Sequence, residues 1–286
     1  MKRQFWLLAY VLLLAFSISS LTGSLRLQGK IRNLKKWDTE SSGFRRQELS
    51  KSALEKLLQQ KQETGCSMGE LLSVWMPRYG YTLKGDENLD EDTFQTWKGY
   101  YEQIRPAQFA ILQEAYQAVW DDVKYFPVSD EVRYENSWMA ERTFGGKRGH
   151  EGTDLMPPKN RAGYYPVYSM TDGVVEKMGW LPQGGWRIGI RSPGGAYFYY
   201  AHLDSYAQGL EEKDIVRAGE LLGYMGDTGY GSEGTKGKFD VHLHLGIYIR
   251  TERFDELSVN PYWVLKSVED HKLKYHGDLC YNQIQR

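Results

Sequence analysis

Cysteine is almost missing from this chain: Cys66 and Cys280 are the only two among 286 residues. Two thiols so far apart make neither a disulfide framework nor a metal-binding pair, although an oxidising compartment would permit one bridge between them. An excess of either charge is missing too. The 36 Lys and Arg balance 37 Asp and Glu, a formal net charge of −1, so no global field draws the chain to nucleic acid or an anionic membrane surface. Repeats and low-complexity tracts are absent, and an apolar fraction of 41% supplies a packed core for one large domain or two modest ones. Histidine is scarce at six residues. Four of those six are His150, His202, His242 and His244, all in the second half of the chain.

What is present changes in texture along the chain. Lys2 and Arg3 precede an apolar run from Phe5 to about Ile18, followed by Ser19, Ser20, Thr22 and Gly23. That is a secretory signal or an uncleaved anchor, and the lack of an A-x-A-type cleavage site favours the anchor. Either places the remainder outside the cytoplasm. A polar, basic tract over 26–46 is expected to be an exposed tether. Helices are expected next: Ser52 with Glu55 and Ser67 with Glu70 fit the capping box, and the second opens an apolar cluster, Leu71 to Met76, ended by Pro77. Phe94, Trp97, Tyr101 and Ile104 share one helical face that stops before Pro106, and Phe109, Leu112, Tyr116, Val119 and Val123 repeat the pattern. Such stripes pack helices together. From Pro127 onward, short Val-, Ile- and Tyr-rich runs alternate with Gly, Pro and Asp clusters: 165–168, 173–177, 186–191, 196–202, 221–225 and 241–249. Regular short strands with glycine turns indicate an antiparallel sandwich or open barrel. The boundary falls near 126–130, and the fold class is α+β.

The stretch Asp240 to Ile249 carries the first sign of chemistry. Alternation along a strand sends His242 and His244 to one face and Val241, Leu243 and Leu245 to the other. His150 and Asp154 stand four residues apart around Gly152, and His202 closes a strand on which alternation puts Tyr200 on the same face. A borderline cation such as zinc takes imidazole nitrogen and carboxylate oxygen, and a hydrolytic site keeps one position open beyond three protein ligands. His150, Asp154 and one of His242 and His244 meet that count, leaving the other histidines for proton transfer. Asp240, on the same strand face, is a candidate acceptor for one of the rings. Read alone, the pair is equally an ordinary couple of hydrogen-bonded histidines on a half-buried strand.

Order and context are more specific. Gly149-His150-Glu151-Gly152-Thr153-Asp154, Pro166-Val167 and Thr171-Asp172-Gly173-Val174-Val175 are followed by Tyr200-Ala201-His202-Leu203. Then come Gly219-Glu220-Leu221-Leu222-Gly223, Gly226-Asp227-Thr228-Gly229, His242-Leu243-His244 and Asn260-Pro261. In these features the chain from about Gly149 to Pro261 resembles the lysostaphin-type (LytM-like) zinc endopeptidases, which cut the peptides of bacterial cell walls. The resemblance implies one zinc ion bound by His150, Asp154 and His244, with His202 and His242 flanking the attacking water as catalytic residues. It also implies peptidoglycan peptides as the substrate, and an antiparallel β-sandwich-like peptidase domain over 127–270. Around that domain stand a signal or membrane anchor at 1–23, the tether at 24–47, a helical module at 48–126 and a tail at 271–286. The helical module would occlude the groove, space the enzyme from the membrane or dock a protein partner. A catalytically silent wall-binding scaffold or activator of the same fold is the alternative, and protein substrates are a third reading. One departure stands out: the insert Tyr230–Val241 is longer than the pattern's approach to His-x-His, so one groove wall is expected to differ.

Overall fold

Capping and pairing decide where each helix starts. The computed structural model of the chain describes residues 6, 7, 10–19, 29, 31–144 and 146–274. A 3₁₀ turn at Asp38–Glu40 and a short helix α1 (Ser42–Arg46) lead into β1 (Glu48–Leu49), α2 (Lys51–Thr64), α3 (Met68–Arg78), β2 (Thr82–Leu83), α4 (Glu91–Ile104) and α5 (Pro106–Trp120). The cap of α2 is Ser50, whose Oγ accepts from the Ala53 amide, and not Ser52. Pairing of β1 with β2, in register Glu48↔Thr82, fixes the chain there and starts the helix two residues early. Ser67 caps α3 as expected, but Glu70 turns away to pair with Lys98 at 2.6 Å. Pro77 lies inside α3, which runs one residue further. Phe94 and Tyr101 of α4 and Phe109, Leu112, Tyr116 and Val119 of α5 are buried; Val123 falls beyond the helix end.

The tract expected to be an exposed tether is packed instead. Ile31, Leu34 and Phe44 are buried, and the Phe44 ring lies 4.6 Å from that of Tyr116 in α5. Arg45 donates to the Ser258 carbonyl and hydroxyl, and the Trp120 indole donates to buried Gln47. Three apolar residues spaced through a basic tract were enough to pull it between α5 and the sheet, because burying a large side chain outweighs the loss of tether freedom. At the N-terminus residues 10–19 are helical with exposed apolar side chains. Among the described residues no helix is long and apolar enough to cross a membrane. Most of the expected tail lies outside the described residues, as does Cys280, the partner that a bridge to Cys66 would need.

Strands occupy the rest: β3 (Glu141–Arg142), β4 (Arg148–Gly149), β5 (Thr153–Leu155), β6 (Pro166–Tyr168), β7 (Gly173–Leu181), β8 (Gly185–Arg191), β9 (Tyr197–Tyr206), β10 (Ile215–Val216), β11 (Leu221–Met225), β12 (Leu243–Ile249) and β13 (Leu257–Val259), before a last helix α6 (Tyr262–Ser267). β3 and β4 form a small hairpin. The other nine make one antiparallel sheet in the order β10-β7-β8-β9-β11-β6, with β12 joining β9 to β5 and β13. The sheet branches at β9. Its first half, Tyr197 to Ala201, pairs with β12, and its second half, Leu203 to Tyr206, pairs with β11.

One face of this sheet is dry. Ile188, Ile190, Phe198, Tyr200, Leu243, Leu245 and Ile247 are fully buried in a cluster that continues through Tyr116 and Phe44 into the helices. Helix α5 lies against β12 on this side. The opposite face carries a groove of about 540 Å³, and no helix supplies any of its lining. Among the described residues, then, the helices support the groove from behind and do not occlude it. Phe44→Ala is expected to destabilise the whole protein by about 3–5 kcal/mol, read from urea unfolding; a change near zero would mean that the segment around it is a tether after all.

Candidate metal centre

Cross-strand register assembles the centre. On β12 the pleat sends His244 to the groove face, and its neighbours in register are Asp154 on β5 and Ala201 on β9. Directly opposed residues hold their side chains about 5 Å apart, so His244 and Asp154 meet without any loop rearrangement. His150 arrives from the end of β4. His150 Nε2 lies 3.0 Å from Asp154 Oδ1 and 2.9 Å from His244 Nδ1, and His244 Nδ1 lies 3.0 Å from Asp154 Oδ1.

Two imidazole nitrogens and a carboxylate oxygen thus form a triangle with every side near 3 Å. The His150 tautomer follows from its other nitrogen: Nδ1 stands 3.2 Å from the Ser137 carbonyl, where it donates, leaving the Nε2 lone pair turned inward. A proton can bridge only one side of such a triangle at a time, whereas a cation serves all three corners. Around zinc, ligands at ~2.1 Å in a tetrahedron stand about 3.4 Å apart, so the triangle has to open by only a few tenths of an ångström. The donor set fits that ion. His150 Nε2, Asp154 Oδ1 and His244 Nδ1 would hold it, and the open face of the triangle looks into the groove.

His242 stands outside the triangle, its Nε2 3.8 Å from Asp154 Oδ1. Its Nδ1 lies 2.7 Å from the Asp240 carbonyl, which accepts from it. Asp240 therefore orients a ring through its backbone, while its carboxylate takes a hydrogen bond from Asn160. His202 is held in the same manner by the Thr228 carbonyl at 2.8 Å. Among the described residues neither Nε2 makes a hydrogen bond, and the two ring centroids are 4.7 Å apart.

Alternation along β9 misplaces His202. It would put His202 with Tyr200, whose hydroxyl bonds the Met170 amide deep in the core. Instead the backbone at His202 turns left-handed, at φ 61°. Trp186 and Ile188 on β8 pair with Leu203 and Tyr200, so β9 carries one residue more than its neighbour. This bulge swings His202 onto the groove face beside Tyr197 and Tyr199.

Burial sets the protonation. Desolvation pushes His202 well below the ordinary histidine value, with His242 and His244 adding to the effect. His244 is lowered for the same first reason, against an opposing pull from Asp154. Burial acts to raise the Asp154 pKa, but the His150, His244 and His242 rings gathered around the carboxylate outweigh it and hold the carboxyl far below its ordinary range.

Arg142 had no signal in the sequence, whereas the long insert was expected to alter one groove wall. Arg142 donates to Asp154 Oδ2 at 2.7 Å, which leaves Oδ1 alone to face the histidines. The insert Tyr230–Val241 forms an aromatic wall: Phe239 lies 4.6 Å from His202 and 5.1 Å from His242, and Tyr230 stacks at 4.2 Å on Phe144 from the loop between β3 and β4. Gly152, by contrast, was visible in its motif, and its reason is space. A Cβ there would stand 2.4 Å from the Leu245 carbonyl and 2.6 Å from the His244 ring.

Comparison with known proteins follows the same residues. Positions 148–261 match the model of Peptidase family M23. A protein of Bacillus subtilis named L-Ala--D-Glu endopeptidase is 44% identical over 146 residues, which are 51% of this chain and 43% of that one. The chain thus spans less than half the length of that relative. A crystal structure of a Ruminococcus gnavus protein, described as a LytM glycyl-glycine endopeptidase, is 45% identical and superposes with a TM-score of 0.76 over 86% of this chain and 98% of that one. The catalytic domain of lysostaphin from Staphylococcus simulans is 25% identical over 47% of this chain and 92% of its own, with a TM-score of 0.38.

Removing the outer support of the triangle has a defined consequence. Arg142→Ala is expected to weaken zinc binding by about 10–100-fold in competition with a chelating dye, because Asp154 loses the partner that fixes its rotation. Gly152→Ala should displace His244 and leave less than one equivalent of zinc by elemental analysis, while far-ultraviolet circular dichroism keeps the sheet signal.

Proposed function

The chain belongs to peptidase family M23, and from that premise we propose that it is a zinc-dependent endopeptidase hydrolysing peptide bonds of peptidoglycan outside the cytoplasm. One observation supports the reading above the others: His150, Asp154 and His244 converge at about 3 Å while His202 and His242 turn free Nε2 atoms toward them. The proposed ligands are His150, Asp154 and His244. His202 and His242 are the proposed proton carriers.

Zinc held there would supply Lewis acidity and a water nucleophile at neutral pH. The chain's own groups do the rest. Water attacking a peptide carbonyl must lose a proton, and the departing amine must gain one. His202 is kept neutral by burial and locked at Nδ1 by the Thr228 carbonyl, so its Nε2 is fit to accept the proton. His242, tethered the same way to the Asp240 carbonyl, stands near enough to share the work. The aromatic wall of Tyr230 and Phe239 limits bulk water around both rings. The groove lies over the sheet and is lined by residues of β5, β7, β8, β9 and β12.

Relatives point to two bonds, one between L-Ala and D-Glu and the other between glycines. Digestion of defined muropeptides, with and without chelator, followed by mass analysis of the new termini, tests the proposal. His150→Ala and His244→Ala are expected to lose both bound zinc and hydrolysis. His202→Ala and His242→Ala should keep zinc yet fall by about 10²–10⁴-fold in kcat. Stoichiometric zinc with no cleavage of any muropeptide would instead favour a wall-binding scaffold of the same fold.

A further inference from the structure

Four cationic side chains line the groove: Arg142, Arg148, Lys177 and Arg187. Two are committed. Arg142 holds Asp154 at 2.7 Å, and Lys177 pairs with Glu256 at 2.7 Å. Arg148 and Arg187 have no side-chain hydrogen bond or ion pair among the described residues, and Arg148 Nε and Arg187 Nη1 are enclosed without a partner. A guanidinium cannot shed its charge to relieve such a position. Enclosed donors left unpaired are costly unless something that binds there satisfies them.

Register places Arg187 in line with the metal centre. Ile188 and Ile190 of β8 are buried in the core, so Arg187 between Trp186 and Ile188 projects to the groove face. Its position on β8 faces the bulged stretch of β9, between the pairs Trp186↔Leu203 and Ile188↔Tyr200, where Ala201 sits. Ala201 in turn is in register with His244, and His244 with Asp154. The row across the sheet is therefore Asp154, His244, Ala201, Arg187. At ~4.8 Å per strand the Arg187 backbone stands about 10 Å from that of His244, with the small, buried Ala201 between them, and both side chains line the same groove. An extended arginine is long enough to bring its head within about one residue, ~3.5 Å of chain, of a bond held at the centre. Arg148, two residues before His150, brings the second uncommitted charge from the other side.

The fork of an arginine matches a carboxylate in two parallel hydrogen bonds. We infer that Arg187, assisted by Arg148, forms a subsite for a free carboxylate on the substrate residue adjoining the scissile bond. The enzyme thereby selects peptides with an acidic residue at that position over neutral ones such as oligoglycine. The inference rests on the endopeptidase reading and gives it a substrate class. A glutamyl residue linked through its side chain keeps its α-carboxylate and meets the requirement; glycine offers nothing to either guanidinium.

Two synthetic peptides test this, alike except that the residue after L-Ala is γ-linked D-Glu with a free α-carboxylate in one and the α-carboxamide in the other. Pentaglycine serves as a third. For the zinc-loaded protein the acid should exceed the amide in kcat/KM by about tenfold or more, mostly through KM. Arg187→Gln should bring that ratio to about one, and Arg187→Lys should restore part of it. A ratio near one in the native protein, or an undiminished ratio in both Arg187→Gln and Arg148→Gln, overturns the inference. Zinc content and thermal midpoint, taken on every variant, identify one that has failed to fold, in which case Arg148→Gln and the native protein decide. Should no peptide be cut, the endopeptidase reading fails, and calorimetric binding of the same pair still decides the subsite. Tighter binding of the acid by the native protein but not by Arg187→Gln supports it, and equal binding rejects it.

Discussion

A single residue in a left-handed backbone, His202 at φ 61°, is where the architecture and the chemistry depend on each other. It sits where β9 leaves β12 and takes up β11, so one strand serves two partners. A non-glycine residue in that conformation is disfavoured by ~1–3 kcal/mol and persists only if its surroundings fix it. They do so from both sides of the peptide: the His202 amide donates to the Gly184 carbonyl at 2.8 Å, and its ring donates to Thr228 at 2.8 Å. Thr228 is itself tied down, its hydroxyl donating to the Leu203 carbonyl and accepting from the Trp186 amide. A flat β9 would point His202 into the core and leave the groove without it.

Around that bulge the sheet behaves as a ruler. Residues in register on neighbouring strands share a face at fixed spacing, so one row from β5 to β8 carries a carboxylate, an imidazole, the small Ala201 and a guanidinium. The dry face beneath, with Leu243, Leu245 and Ile247 fully buried, holds the strands rigid. Helix α5 and the segment around Phe44 thicken that support from behind. The triangle therefore rests both on apolar neighbours of His244 and on the Phe44 segment, about a hundred residues or more away in sequence, which is why that polar tract is part of the same core.

The electrostatic pattern follows from the same geometry. Three donor atoms held at ~3 Å are a poor arrangement for protons and suit a cation. Arg142 neutralises the outward oxygen of Asp154, and backbone carbonyls, not carboxylates, orient His202 and His242. Those carbonyls accept from Nδ1 of each ring and so fix the orientation of both. The cations left over, Arg148 and Arg187, lie where an extended substrate would pass.

Much of this was legible from residue order. The alternation of Asp240 to Ile249 separated the two histidines from Leu243 and Leu245, and the pleat allows no other outcome while one face is buried. Ser67, Pro106 and the stripes on α4 and α5 marked helices because capping and helical periodicity are local. The resemblance over Gly149 to Pro261 singled out five residues, His150, Asp154, His202, His242 and His244, that the fold gathers in one groove. What local rules could not supply needed partners distant in the chain. The start of α2 was set by β1 meeting β2, and the burial of Phe44 by Tyr116 and Arg45's hold on Ser258. The pairing of Arg142 with Asp154 and the stacking of Phe144 on Tyr230 likewise have no periodicity to betray them. His202 shows the division most sharply. Its residue type and its place at a strand end were in the sequence, but its face was decided by the extra residue that β9 needs to serve two partners, and a one-residue bulge reverses what alternation predicts.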